Sequence, residues 1–204
     1  MNIKDRAGRN IEQVSEFKYL GSTMEETGGW SLEIRSRIAK GWNKWRECSG
    51  ILCDKRMPVK LKLRIYTACI RPVLLYGVET LALRRAEEAK LHSTEMRMLR
   101  WIHGISLFDH QMNEDIRRRS GVCSIVTKAR ESRLRWFGHV CRREEENHVK
   151  KAMMEKVKGK RSRGRQRLRW KDVIERDMRE LNVRQADAEN RARWRRVTRA
   201  ADPT

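Results

Sequence analysis

The chain has 204 residues, enough for one domain or two small lobes, and carries 48 Lys+Arg against 27 Asp+Glu, a net charge of +21. Such a charge repels itself in a compact state and draws polyanions, so DNA, RNA or anionic lipid are the partners to test for. No apolar run approaches the roughly 20 residues that span a bilayer, and MNIKDRAGRN lacks the hydrophobic segment of a secretory signal, so the expected location is nuclear or cytoplasmic, not secreted.

In chain order, two short runs, Asn2–Lys4 and Asn10–Val14, flank Ala7-Gly8 and predict a β-hairpin whose second strand continues into Phe17–Leu20 and ends at Thr27-Gly28-Gly29. From Ser31 the period changes. Ile34, Ile38, Trp42 and Trp45 share one face of a helix, which Ser49-Gly50 and CDKRMP break. Pro58 fits the first turn of a second helix with Leu61, Ile65, Ala68, Cys69 and Leu75 inward, and Pro72 should kink or break it. A third helix runs from about Ala86, with Leu91, Met98 and Ile102 inward, and stops before Gly104. Short connections between these helices predict a compact bundle.

SLFDHQMNED reads as a bend, followed by a short helix capped by Asn113 and stopped by Gly121. The clearest apolar stripe follows: Ile125, Ala129, Trp136 and Val140, widened by Phe137 and Cys141 and flanked by Arg130, Arg133 and Arg142. KVKGKRSRGRQR then predicts an exposed basic loop. Trp170, Ile174, Met178 and Leu181 mark another helix, and ENRARWRRVTRAA a last, weakly amphipathic one. The fold class expected is therefore mainly α, with a short N-terminal β-hairpin, a helical bundle and a basic helical tail.

The charge is uneven. Residues 1–110 hold 20 Lys/Arg and 13 Asp/Glu, net +7, whereas residues 111–204 hold 28 and 14, net +14. The polyanion surface is expected mainly in the second half. Lys156, Lys158, Lys160, Arg161, Arg163, Arg165, Arg167, Arg169 and Lys171 fall within sixteen residues, and Gly159 and Gly164 allow close backbone approach to phosphates. Nucleic-acid contact is the leading reading of this run, ahead of a nuclear-targeting role or simple solubility.

Two-metal chemistry needs clustered carboxylates. The sequence has no Asp-Asp pair, and Glu144-Glu145-Glu146 closes an arginine-rich helix and reads as solvent-facing. Asp172 and Glu175 read as local ion pairs. Cys123, His139, Cys141 and His148 lack the paired spacing of a structural zinc site, and the five cysteines, odd in number and scattered, read as reduced thiols. His139 reads as a packing or phosphate-contacting histidine. Most tryptophans fall on apolar stripes and read as core rather than as stacking platforms.

FKYLGSTM, followed by EIRSRIAKGWNKW, KLKLRIYTACIRPVLLYGVETLAL, EMRMLRWIHGI, RLRWFGHVCRR and GKRSRGRQRLRWKDVIERDM, resembles the part of a non-LTR retrotransposon (LINE, RTE/BovB-like) reverse transcriptase that follows the catalytic palm. The resemblance covers almost the whole chain, with the motifs in order. It implies three regions: residues 1–29 as the remnant of a primer-grip β-hairpin, 30–104 as a thumb-like helical bundle, and 105–204 as a basic helical tail with an exposed loop at about 156–169.

By that resemblance Phe17, Lys18, Tyr19, Leu20 and Gly21 belong to the primer grip, with Gly21 letting backbone approach the primer end and Lys18 placed to touch its phosphate. Arg35, Arg37, Lys40 and Lys44 are implied phosphate contacts of the first thumb helix. Lys158, Lys160, Arg161, Arg163, Arg165, Arg167 and Arg169 complete the nucleic-acid set. The family's catalytic carboxylates and endonuclease lie upstream of these motifs, so the expectation is a polymerase fragment without catalysis that keeps template–primer, RNA or DNA binding. It needs no cofactor of its own, although the parent enzyme would use Mg²⁺, and its expected partners are nucleic acid and the palm of the parent polymerase, with no membrane. Gln166 stands where many relatives have proline, and the Cys-Cys-His-Cys knuckle of some tails is absent. The alternative is an independent basic helical protein, chromatin- or ribosome-associated, with only an ancestral likeness.

Overall fold

The computed structural model describes residues 4, 6, 8–10, 12–26, 28–155 and 168–202. The fold is mainly helical, with an N-terminal two-stranded antiparallel hairpin. Strands β1 (Glu16–Tyr19) and β2 (Ser22–Glu25) pair in the register Phe17↔Met24 and Tyr19↔Ser22. The turn is therefore Leu20-Gly21, and this corrects the sequence reading, which puts it at Ala7-Gly8. Around Gly8 the described residues form only an isolated Lys4↔Asn10 bridge. Both turn residues have positive φ, 47° at Leu20 and 83° at Gly21, as a two-residue hairpin loop requires for its twist to match the strands. Leucine is a poor choice there, because its Cβ crowds the following carbonyl in left-handed backbone.

Helix α1 (Ser31–Glu47) starts with Glu33 in its first turn and ends with Lys44 and Arg46, each complementing the helix dipole. A short α2 (Ser49–Leu52) leads to α3 (Val59–Ile65), where Pro58 sits just before the first helical residue. The chain then winds through a π-helical turn, Tyr66–Ile70, into α4 (Arg71–Leu74). Pro72 does not break the helix. It lacks the amide that would bond one turn back, and widening that turn relieves the clash of its ring with the carbonyl there. The buried face also differs from the one expected. Lys62, Tyr66, Ile70 and Leu74 point inward, while Leu61 and Ala68, expected inside, are exposed.

Helix α5 (Arg85–His103) is closed by Gly104 at φ 65° and α6 (Asn113–Ser120) by Gly121 at φ 58°. Asn113 is the first helical residue of α6 and not its cap. Helix α7 (Ile125–Cys141) begins under a double cap: Ser124 Oγ accepts from Val126 N, and the buried Glu95 carboxylate accepts from Ile125 N at 3.0 Å. Then come α8 (His148–Met154), α9 (Trp170–Glu180) and α10 (Arg191–Thr198).

Two apolar cores result. The larger joins Ile34, Trp45, Tyr66, Ile70, Leu74, Leu91, Met98 and Leu99 to Ile116, Ile125 and Ala129, so its packing runs across residue 104. The smaller joins Leu134, Phe137, Ile174, Ala188 and Trp194. Helix α7 enters both, and buried charge lies between them: Arg133, 0% exposed, donates from Nε to Asp177 at 2.7 Å and from Nη2 to Glu88 at 3.2 Å. Among the described residues no helix is long and apolar enough to cross a membrane, and no group of three or more His, Cys, Asp or Glu side chains is placed to hold a metal ion. All five cysteines are free thiols.

Candidate nucleic-acid interface

The motif RLRWFGHVCRR spans Arg133 to Arg143 and divides by helical face. Leu134, Phe137 and Val140 turn into the cores, which leaves Arg135, His139, Arg142 and Arg143 on the outer side of α7. Helix α10 packs alongside and presents Arg191 and Arg195, with Arg199 just after its end. Between these two sets of cations lies an open groove of about 1100 Å³.

Its floor depends on one glycine. Gly138 carries no Cβ, and one placed there would overlap the Trp194 indole at Nε1. The bare backbone lets the Trp194 indole lie flat on α7, where Nε1 donates to the Leu134 carbonyl at 2.8 Å. Trp194 is buried and ring-packed on Phe137, which in turn packs on Trp170. The loop past α10 is held as well: Glu131 accepts from Ala200 N at 3.2 Å.

The groove is electropositive, and its cations differ in how far they are committed. Arg135 pairs with Glu131 at 2.7 Å while 71% of its side chain stays exposed. Lys128 and Arg135 hold the Glu131 carboxyl below the usual range, against the opposing effect of its burial. Arg142 donates to the Ala188 carbonyl. Arg143 donates to His139 Nε2 at 2.9 Å, so that ring nitrogen is the acceptor in this contact. The His139 ring stacks on Trp136 with centroids 5.5 Å apart and planes 28° apart. The side chains of Arg191, Arg195 and Arg199 make no hydrogen bond or ion pair among the described residues.

At the other end of the chain the hairpin tip is bolted to α1 and to the loop after α4. Arg37 reaches from α1 to the Gly21 carbonyl at 2.9 Å and to Ser22 Oγ at 3.1 Å, lies over the Tyr76 ring at 4.4 Å, and pairs with buried Glu33. Glu33 also accepts from Thr23 N at 2.7 Å, and Tyr76 Oη donates to the Leu20 carbonyl at 3.1 Å. Arg37 therefore faces inward as a brace between α1 and the hairpin tip. Lys40 stays exposed while bonding the Gly21 carbonyl at 3.3 Å, Lys44 pairs with Glu47 at 2.7 Å, and Arg35 is exposed. Lys18 is exposed. Phe17 and Tyr19 stack along one strand face, each 55% exposed, and Leu20 at the tip is 75% exposed.

Arg169 is exposed at the start of α9. Lys158, Lys160, Arg161, Arg163, Arg165 and Arg167, with the loop assigned to them, lie outside the described residues. Glu144, Glu145 and Glu146 are exposed; Glu145 pairs with Lys150 and Glu146 with Lys151. The hairpin set and the α7–α10 groove are separate constellations.

No family model matches this chain, and no solved structure matches it. An uncharacterized protein of Caenorhabditis elegans, described as transposon-derived, is 26% identical over 199 residues, covering 93% of this chain and 68% of that protein. The chain is a distant relative of a transposon-derived protein. The similarity extends over nearly the whole sequence.

The groove is not apparent in the sequence. Its two walls lie about fifty residues apart in the chain, and the arginines of α7 read there as flanks of an apolar stripe. The available signal is RLRWFGHVCRR itself, whose basic and aromatic residues recur at helical spacing on the side away from Leu134 and Phe137.

Proposed function

We propose that this chain is a retrotransposon-derived nucleic-acid-binding protein, corresponding to the primer-grip, thumb and tail part of an RNA-directed DNA polymerase, with no polymerase chemistry of its own. The observation that carries the reading is the α7–α10 groove, where arginines from two helices converge on one open channel and three of them have no acceptor among the described residues. A net charge of +21 supports it, as does the relationship to a transposon-derived protein. The exposed Phe17–Tyr19 face is assigned to the palm of the parent polymerase, which by the family resemblance adjoins the primer grip.

Fluorescence anisotropy with labelled oligonucleotides tests the reading. If about 6–10 phosphates are neutralised, affinity falls by roughly 10³–10⁵ between 50 and 200 mM salt. A nearly flat titration, or no binding at low salt, overturns it. The reading expects no catalysis, since a two-metal mechanism needs clustered carboxylates to hold both ions. Purified protein given template, primer, nucleotides and Mg²⁺ should extend nothing, and extension abolished by chelation would overturn that part.

A further inference from the structure

We infer that the α7–α10 groove is built for a single strand of nucleic acid in preference to a duplex. This rests on the nucleic-acid reading above and narrows it to one ligand form at one site.

The first ground is the geometry of the walls. Arg191 and Arg195 stand four residues apart on α10, as do Arg135 and His139 on α7, with Arg199 and Arg143 just past the two helix ends. Four helical residues rise about 6 Å, so each wall offers polar groups at regular short steps along the groove. Packed helices lie only about 8–10 Å apart, so both sets reach the same strip of space. One phosphodiester chain lying there meets guanidinium groups from both sides. A duplex is too broad to enter and meets only the rims.

The second ground is the aromatic pair. Trp136 is half-exposed at the groove, and His139 is exposed and stacked on it. Arg143 holds the His139 ring by its Nε2, so the stacked pair presents a flat π surface beside cations. That combination, a positive groove tracking the backbone with an aromatic platform for bases, is how proteins hold unpaired strands without reading sequence. In a duplex the base faces are already stacked on one another and cannot use such a platform. Phosphate contacts alone would not distinguish the two forms.

The experiment compares a labelled 12-nucleotide mixed-sequence strand with the 12-base-pair duplex of the same sequence, in DNA and in RNA, on the full chain at one salt concentration. The single strand is expected to bind at least tenfold tighter. Trp136→Ala should weaken single-strand binding by about 5- to 150-fold while leaving duplex binding nearly unchanged, and Trp136→Phe should restore most of the affinity. Arg191→Gln/Arg195→Gln/Arg199→Gln should lower the slope of log affinity against log salt for the single strand by about 2, at roughly 0.7 for each phosphate no longer neutralised. Equal affinity for the two forms, or an unchanged ratio in Trp136→Ala with a wild-type circular-dichroism melt, overturns the inference and leaves general nucleic-acid binding standing. Failure to bind either form overturns the general reading as well. Polyglutamate of matched charge displacing the strand as well as unlabelled strand does would mark the groove as a nonspecific anion trap and also overturn it.

Discussion

Gly138 shows how much can rest on the lack of one carbon. Its bare Cα lets Trp194 approach α7 closely enough for Nε1 to reach the Leu134 carbonyl, and that contact fixes α10 beside α7. Gly138→Ala should cost about 1–3 kcal/mol by overpacking, read by urea unfolding. It should also weaken single-strand binding, because the indole that seats α10 must move. The cost should shrink in Gly138→Ala/Trp194→Phe, where the clashing nitrogen is gone, and additive costs would show that the two residues do not meet. At this scale the sequence is partly legible. Ile34, Leu91, Met98 and Ile102 sit inside as their spacing requires. Arg37 and Arg133 read as surface cations because arginine is seldom buried unless paired. Their partners, Glu33 in one case and Glu88 and Asp177 in the other, become visible only once the helices are packed.

Helices α5, α7 and α9 meet through charge as well as through apolar contact. Arg133 joins Glu88 of α5 to Asp177 of α9, and Arg176 adds a second bond to Glu88 at 2.6 Å. Removing the central cation leaves two carboxylates in a dry site. Arg133→Met should therefore destabilise the protein by about 3–5 kcal/mol, measured by denaturant titration, although methionine is the more apolar side chain. A destabilisation below about 1 kcal/mol would mean that the remaining partners, Arg176 with Arg85 and Arg130, neutralise the cluster. Element boundaries are legible wherever a glycine or a change of period marks them, as at Ser31, Gly104 and Gly121. Two elements are not. The hairpin turn is hidden because Leu20 carries no turn signal, whereas Ala7-Gly8 does. The inward face beyond α3 is misjudged at Ala68 because Pro72 is accommodated by a widened turn, Tyr66–Ile70, which rotates the side chains from there on relative to a regular helix.

In the whole molecule the charged and apolar layers alternate along α7, and the segment after α10 returns to the larger core. Asp202 forms a two-pronged ion pair with Arg71, at 2.8 and 2.9 Å, and also accepts from Cys123 N at 2.9 Å. The Arg71 hydrogen bonds hold its carboxyl below the usual aspartate range, against the opposing effect of partial burial. A carboxyl lowered in the folded state stabilises fully above its unfolded value, about 3.9, and forfeits that contribution as pH falls through the depressed value. Asp202→Asn should therefore be less stable than wild type at pH 6, with the gap closing as the pH falls below about 4. A gap independent of pH between about 6 and 2 would show that the ion pair adds nothing. The mainly helical class and the bias of positive charge toward the second half can be read from composition and period. The groove cannot, since it exists only where α7 and α10 are brought together.

The Asp202 contact also sets a schedule. Arg71 and Asp202 are 131 positions apart. A ribosome adding about 5–20 residues per second takes roughly 7–26 s to make the intervening chain. During that interval the Arg71 guanidinium faces its neighbours without its carboxylate, and the amide of Cys123 lacks its acceptor once it has been made. The larger core can collapse early from its own helices, but this corner of it closes only when residue 202 has emerged. The order of synthesis thus makes the Arg71–Asp202 contact lock later than the helices it closes over.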